Sequence, residues 1–107
     1  MNPVILNINR LLQRLSPTMP CPPIHWQNVV RVEAWGTDAV GAFSVWITFT
    51  HADGSAAEVS IDTKGFWDIV ESLHTRIPSI PPNWYDEMAE ESWHVERLLY
   101  IRDEFQR

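Results

Sequence analysis

Val4, Ile5, Ile8, Leu11, Leu12 and Leu15 recur at intervals of three and four, the spacing that gathers apolar side chains on one face of a helix. Asn2 and Pro3 suit the N-cap and first position of such a helix, so the pattern predicts an N-terminal helix over residues 3–15. Pro17, Pro20, Pro22 and Pro23 follow and remove backbone donors, which makes residues 16–23 an extended connector too short to separate two domains.

The period then changes to two. Over residues 26–36, Val30, Val32 and Ala34 fall on one parity, with Val29, Arg31, Glu33 and Trp35 on the other. Over residues 42–50, Phe43, Val45, Ile47 and Phe49 alternate with Ala42, Ser44, Trp46, Thr48 and Thr50. A third run, residues 56–61, is joined to the second through His51, Ala52, Asp53 and Gly54, and Asp-Gly between alternating segments is a strong hairpin signal. These runs predict an antiparallel meander.

Helical spacing returns with Phe66, Ile69, Val70, Leu73 and Ile77, preceded by Asp62 and Thr63 as candidate caps. Pro78 ends that helix, Pro81 and Pro82 stiffen a second connector, and Asn83-Trp84 offers a new helix start. From there the pattern is ambiguous. Trp84, Met88, Val95 and Leu99 fit one long helix, whereas residues 95–102 also read as a strand after a short helix over residues 84–91. The fold class is therefore α+β. It comprises an antiparallel sheet of three to four strands with an N-terminal helix and one or two C-terminal helices packed on it, in a single domain over residues 1–107.

Composition narrows the function. The chain carries 8 Lys+Arg against 14 Asp+Glu, a net charge of -6, with the basic residues scattered singly. No nucleic-acid partner is expected, because phosphate binding needs clustered Lys and Arg. The apolar run at the N-terminus is too short and interrupted for a signal peptide, and no run approaches the about 20 residues of a membrane-spanning helix. The lone Cys21 has no disulfide partner and no metal-site spacing, so a cytoplasmic protein without membrane partner is expected.

Candidate chemistry is sparse. His25, His51, His74 and His94 lie far apart in sequence without HxH or HExxH spacing, and no metal or other cofactor is expected. His51 and Asp53 sit at the hairpin tip, where turn formation accounts for the Asp and simple exposure for the His. There is no nucleophile elbow, Cys21 lacks a catalytic setting, and Gly36, Gly41, Gly54 and Gly65 never cluster into a phosphate loop. The chain reads as a non-enzyme. A small enzyme would need convergent polar groups such as His94 beside Glu91 or Glu96.

Two anomalies remain. Asp86, Glu87, Glu90 and Glu91 form an acidic stretch near the C-terminus, either a solvated face or a partner-facing patch, and a catalytic carboxylate pair would need burial in a cleft. Six tryptophans in 107 residues are the second anomaly. Trp67 and Trp84 flank a helix and a proline connector and read as core. Trp35 and Trp46 fall on the parity opposite the cleaner apolar face, exposed as a binding hot spot unless the N-terminal helix covers them to bury Ile8, Leu11 and Leu15.

Several segments carry a resemblance: Val32-Glu33-Ala34-Trp35-Gly36, Val45-Trp46-Ile47-Thr48-Phe49, Asp53-Gly54, Lys64-Gly65-Phe66-Trp67 and Leu98-Leu99-Tyr100. Across residues 26–102 the chain resembles small uncharacterised bacterial proteins, some similar to immunity proteins of polymorphic or contact-dependent toxin systems. The resemblance implies a fourth strand over residues 95–102 and carries over no functional residue. It leads to an expected function as an immunity protein that neutralises a cognate protein toxin, possessing a basic cleft, by steric and electrostatic occlusion. Trp84 and Tyr85 would then supply the anchor, with Asp86, Glu87, Glu90 and Glu91 supplying the charge. The alternatives are a small-molecule site walled by Trp35, Phe43 and Trp46 and a homodimeric structural protein.

Overall fold

A computed structural model of the chain describes residues 19–39, 42–91 and 94–103. The expected N-terminal helix over residues 3–15 lies outside them. The elements are β1 (Val29–Ala39), β2 (Ala42–His51), β3 (Ala56–Ser60), α1 (Phe66–Arg76), α2 (Trp84–Glu90) and β4 (His94–Ile101). A 3-10 turn at Trp26–Asn28 leads into β1, so this strand begins three residues later than its alternation suggests. The strands form one antiparallel sheet in the order β3-β2-β1-β4. The chain is thus an α+β fold in which both described helices follow β3, and of the two C-terminal readings the short helix followed by a strand is the one formed.

Local chemistry explains the meander. Gly54 takes the left-handed conformation at φ 89 that the hairpin tip requires, and the Asp53 carboxylate accepts hydrogen bonds from the Ser55 N–H and hydroxyl. A register shift between Val29 and Arg31 lets Val29 join the core although its parity differs from that of Val32 and Ala34, and Val30 at the irregularity is buried as well.

One sheet face carries Val32, Ala34, Val45, Ile47, Phe49, Ala57, Val59 and Val95, and it is covered by Phe66, Val70 and Leu73 of α1 and Trp84 and Met88 of α2, with Ile80 between them. This clustering of alternating strand residues with helical i, i+3 and i+4 residues forms the core. Gly36 is needed there for space. An added Cβ would lie 2.4 Å from Cζ of the Phe43 ring, which packs edge-on against Tyr85.

The start of α1 differs from expectation. Neither Asp62 nor Thr63 caps it with a side chain: Gly65 occupies the N-cap position at φ 77, and the Thr63 hydroxyl instead accepts the Ser60 N–H at the end of β3. α1 stops at Arg76, ahead of Pro78, and the His74 ring donates to the Ile80 carbonyl at 2.6 Å, holding the proline connector against the helix. The Arg97 guanidinium pairs with Glu91 just beyond α2, tying that helix end to the edge strand.

Candidate functional site

Of the two residues expected to anchor a partner at α2, Trp84 lies in the core and Tyr85 is half-buried. Trp84 is 3% exposed and belongs to the core because it is the first residue of a seven-residue helix whose inward face it fills with Met88. Tyr85 is half-buried among Phe43, Trp67 and Trp84. Asp86, Glu87 and Glu90 are exposed, and Glu91 is paired with Arg97. The acids therefore form a charged outer surface on α2 with no exposed aromatic residue of that helix beside them.

The opposite sheet face is different. Trp35 and Trp46 are directly paired across β1 and β2, and their rings stack with centroids 4.1 Å apart and planes 8° from parallel. Such a cross-strand aromatic pair contributes about 1 kcal/mol beyond its area burial. Trp35 remains 37% exposed, because both described helices pack on the other side. Phe43 does not join the pair. It sits an odd number of residues from Trp46 in β2 and turns to the helix side, so the expected three-walled aromatic site is not assembled.

β4 completes this face. Its pairing with β1 sets Glu96 opposite Trp35, Leu98 opposite Glu33 and His94 opposite Thr37. On the other side, Thr48 of β2 stands opposite Glu33 and hydrogen-bonds Glu58 of β3. Two rows result, Ser60-Trp46-Trp35-Glu96 and Glu58-Thr48-Glu33-Leu98. An open depression of about 330 Å3 lies here, lined by Glu33, Trp35, Thr48, Glu96 and Leu98 among others. Leu98 is 52% exposed at its rim. Arg97 also lines the depression, with its guanidinium paired to Glu91; the Glu33 carboxylate meets Arg31 at 2.8 Å, the His94 ring lies 3.9 Å from Glu96, and Glu58 adds a third carboxylate to the face.

Leu98 and Glu33 were not singled out as site residues from the sequence, and Glu96 was named only as a possible neighbour of His94, from which it lies 3.9 Å. Their parity with Trp35 was visible within each strand, but which strand lies beside β1 is a non-local fact that no local spacing carries.

The hairpin histidine is also not where simple exposure would leave it. His51 is 4% exposed. Its Nε2 accepts the His25 N–H at 3.1 Å, and its Nδ1 faces the Ser55 carbonyl and hydroxyl at 3.2 and 3.0 Å. The Ser55 hydroxyl donates to Asp53 at 2.6 Å, so it receives the His51 Nδ1–H. His25 and His51 thus meet, with ring centroids 5.3 Å apart, although 26 residues separate them. Two hydrogen bonds from Ser55, the hydroxyl first and the N–H second, hold the Asp53 carboxyl below the ordinary carboxylate range.

Among the described residues no group of three or more His, Cys, Asp or Glu is placed to hold a metal ion, and no helix is long and apolar enough to cross a membrane. The chain matches no protein-family model, no curated protein and no solved structure.

Proposed function

We propose that the protein is a binding domain that docks a basic protein on its tryptophan-bearing sheet face and inhibits that partner by occlusion, in the manner of an immunity protein toward its toxin. The observation that carries the reading is the stacked Trp35–Trp46 pair, left open beside an exposed Leu98 and ringed by Glu33, Glu58 and Glu96. Large aromatic residues in a partly enclosed apolar patch supply most of the binding energy at protein interfaces, and a rim of one charge steers a partner of the opposite charge. The net charge of -6 acts in the same direction at longer range.

Three separable effects are required of such an inhibitor. The aromatic patch provides desolvated contact, the carboxylates orient the approach, and the breadth of the face covers the partner's cleft; no bond is made or broken.

The test compares the full chain with a W35A/L98E variant, each immobilised and exposed to lysate of the source cells at low and high salt. Wild type is expected to retain one stoichiometric basic protein that the variant loses, and that protein expressed alone is expected to arrest growth until this chain is co-expressed. Equal retention by the variant removes the sheet face from the reading; growth unaffected by the retained protein removes the toxin.

A further inference from the structure

The depression beside Trp35 has a chemistry more specific than a general apolar patch. Trp46 covers one face of the Trp35 ring by parallel stacking. On the β4 side, Glu96 is the direct cross-strand neighbour of Trp35, Leu98 lies one row along, opposite Glu33, and the His94 ring sits tilted with its centroid 6.5 Å from that of Trp35. Trp35 thus borders the same opening as two carboxylates, an aliphatic side chain and Arg97, whose guanidinium is already held by Glu91. The Glu33 and Glu96 side chains are 47% and 77% exposed and line the opening, each with an exposed neighbour of its own, Arg31 at 2.8 Å from Glu33 and His94 at 3.9 Å from Glu96.

We propose that this depression is a subsite for one arginine side chain of the docked protein. The proposal rests on the reading of the tryptophan face as the docking surface and names the group that face selects. A planar guanidinium stacks on an indole face, is attracted by its π-electrons, and presents N–H groups in its own plane to carboxylates on either side. Its methylene stem lies along an apolar residue while the head stays polar, the role Leu98 fills here. A neutral aromatic or aliphatic group would satisfy Trp35 but exclude water from Glu33 and Glu96 while leaving them only their exposed contacts to Arg31 and His94. A carboxylate would meet like charge at both. The Arg31 contact to Glu33 is exposed, 45% on the arginine side, and exposed pairs of this kind are weak enough to rearrange.

The experiment uses the full chain and two small probes, N-acetyl-arginine amide and N-acetyl-citrulline amide, which share a shape but differ in charge. The readout is the NMR signal of the tryptophan indole N–H groups. The arginine probe is expected to shift the Trp35 signal saturably, in the millimolar range, and the citrulline probe to leave it unchanged. E33Q and E96Q are each expected to weaken the arginine probe by about threefold to tenfold, while L98E, at an exposed position where folding is safe, is expected to alter its affinity without changing the circular dichroism spectrum.

A citrulline probe as effective as the arginine one, or no Trp35 shift with either, overturns the subsite. Contacts from residues 1–18 to the Trp35 indole in the free chain would assign the face to the chain's own N-terminal residues, and a dimer in sedimentation that W35A/L98E abolishes would assign it to a second copy; each overturns the proposal. The two levels fail separately. Partner capture that survives W35A/L98E removes the docking reading even where the arginine probe binds, whereas capture lost in W35A/L98E with a silent arginine probe removes only the subsite.

Discussion

At the scale of residues, the hairpin tip shows how much one side chain is asked to do. His51 closes the β2–β3 turn through Ser55 and holds the incoming connector through the His25 N–H, with every ring nitrogen satisfied. H51A removes an acceptor from one backbone donor and the partner of one hydroxyl while opening a cavity at a 4% exposed position. A loss of about 2–3 kcal/mol in urea-denaturation stability is expected. Asp53 makes a separate, pH-dependent contribution. Its carboxyl is held low by Ser55, so the folded state favours the ionised form, and the stabilisation is present above the unfolded value and lost as pH falls through the folded one. The stability difference between wild type and D53N is accordingly expected to stay constant near neutrality and to shrink below about pH 4. Thermal melts at a series of acid pH values read it directly, and a difference that grows with acidity would contradict the assignment. The sequence marked Asp53 correctly as a turn residue because that role is local. It placed His51 outside because the residues that bury it come from the connector at 25–28, which no neighbouring position announces.

At the scale of elements, α2 and the tryptophan face lie on opposite sides of the sheet, so a partner seated on one does not touch the other. This separates two charge effects. E87K/E90K is expected to keep the fold, since both positions are exposed, with a small cost because Glu87 lies in the first turn of α2, where a negative charge suits the helix dipole. That cost is about 0.5 kcal/mol. The same variant is expected to weaken partner capture by only about threefold, through slower long-range steering that salt erases, whereas W35A/L98E abolishes it. Surface-plasmon measurements of association rate against ionic strength distinguish the two, and a complete loss in E87K/E90K would move the docking surface to α2. What the sequence made legible at this scale were the elements with punctuation: the Asp53-Gly54 hairpin, the helix stopped ahead of Pro78, and the alternation of β2. Phe43 is instructive in the other direction. Its parity already set it apart from Trp46, and grouping the three rings by aromatic type overrode the stronger signal of the pleat. The order of strands was not legible, because alternation fixes which way a side chain points and says nothing of which strand stands beside it.

At the scale of the whole molecule, the sheet order places β1 in the interior although it is the first of the described strands to be made, and gives one of its two neighbours, β4, to the last of them. Synthesis therefore leaves the β4 side of β1 unpaired until every other described element has emerged. During that interval the backbone groups of residues 31–37 are open to any other extended chain, and the Val95 position over Gly36 is empty. Folding of the sheet carries the same signature, since its last pairing spans the greatest sequence distance and closes slowest. Nascent chains that terminate before His94 thus present an interior strand as an edge, and are for that reason natural prey for chaperones and proteases rather than miniature versions of the binding domain.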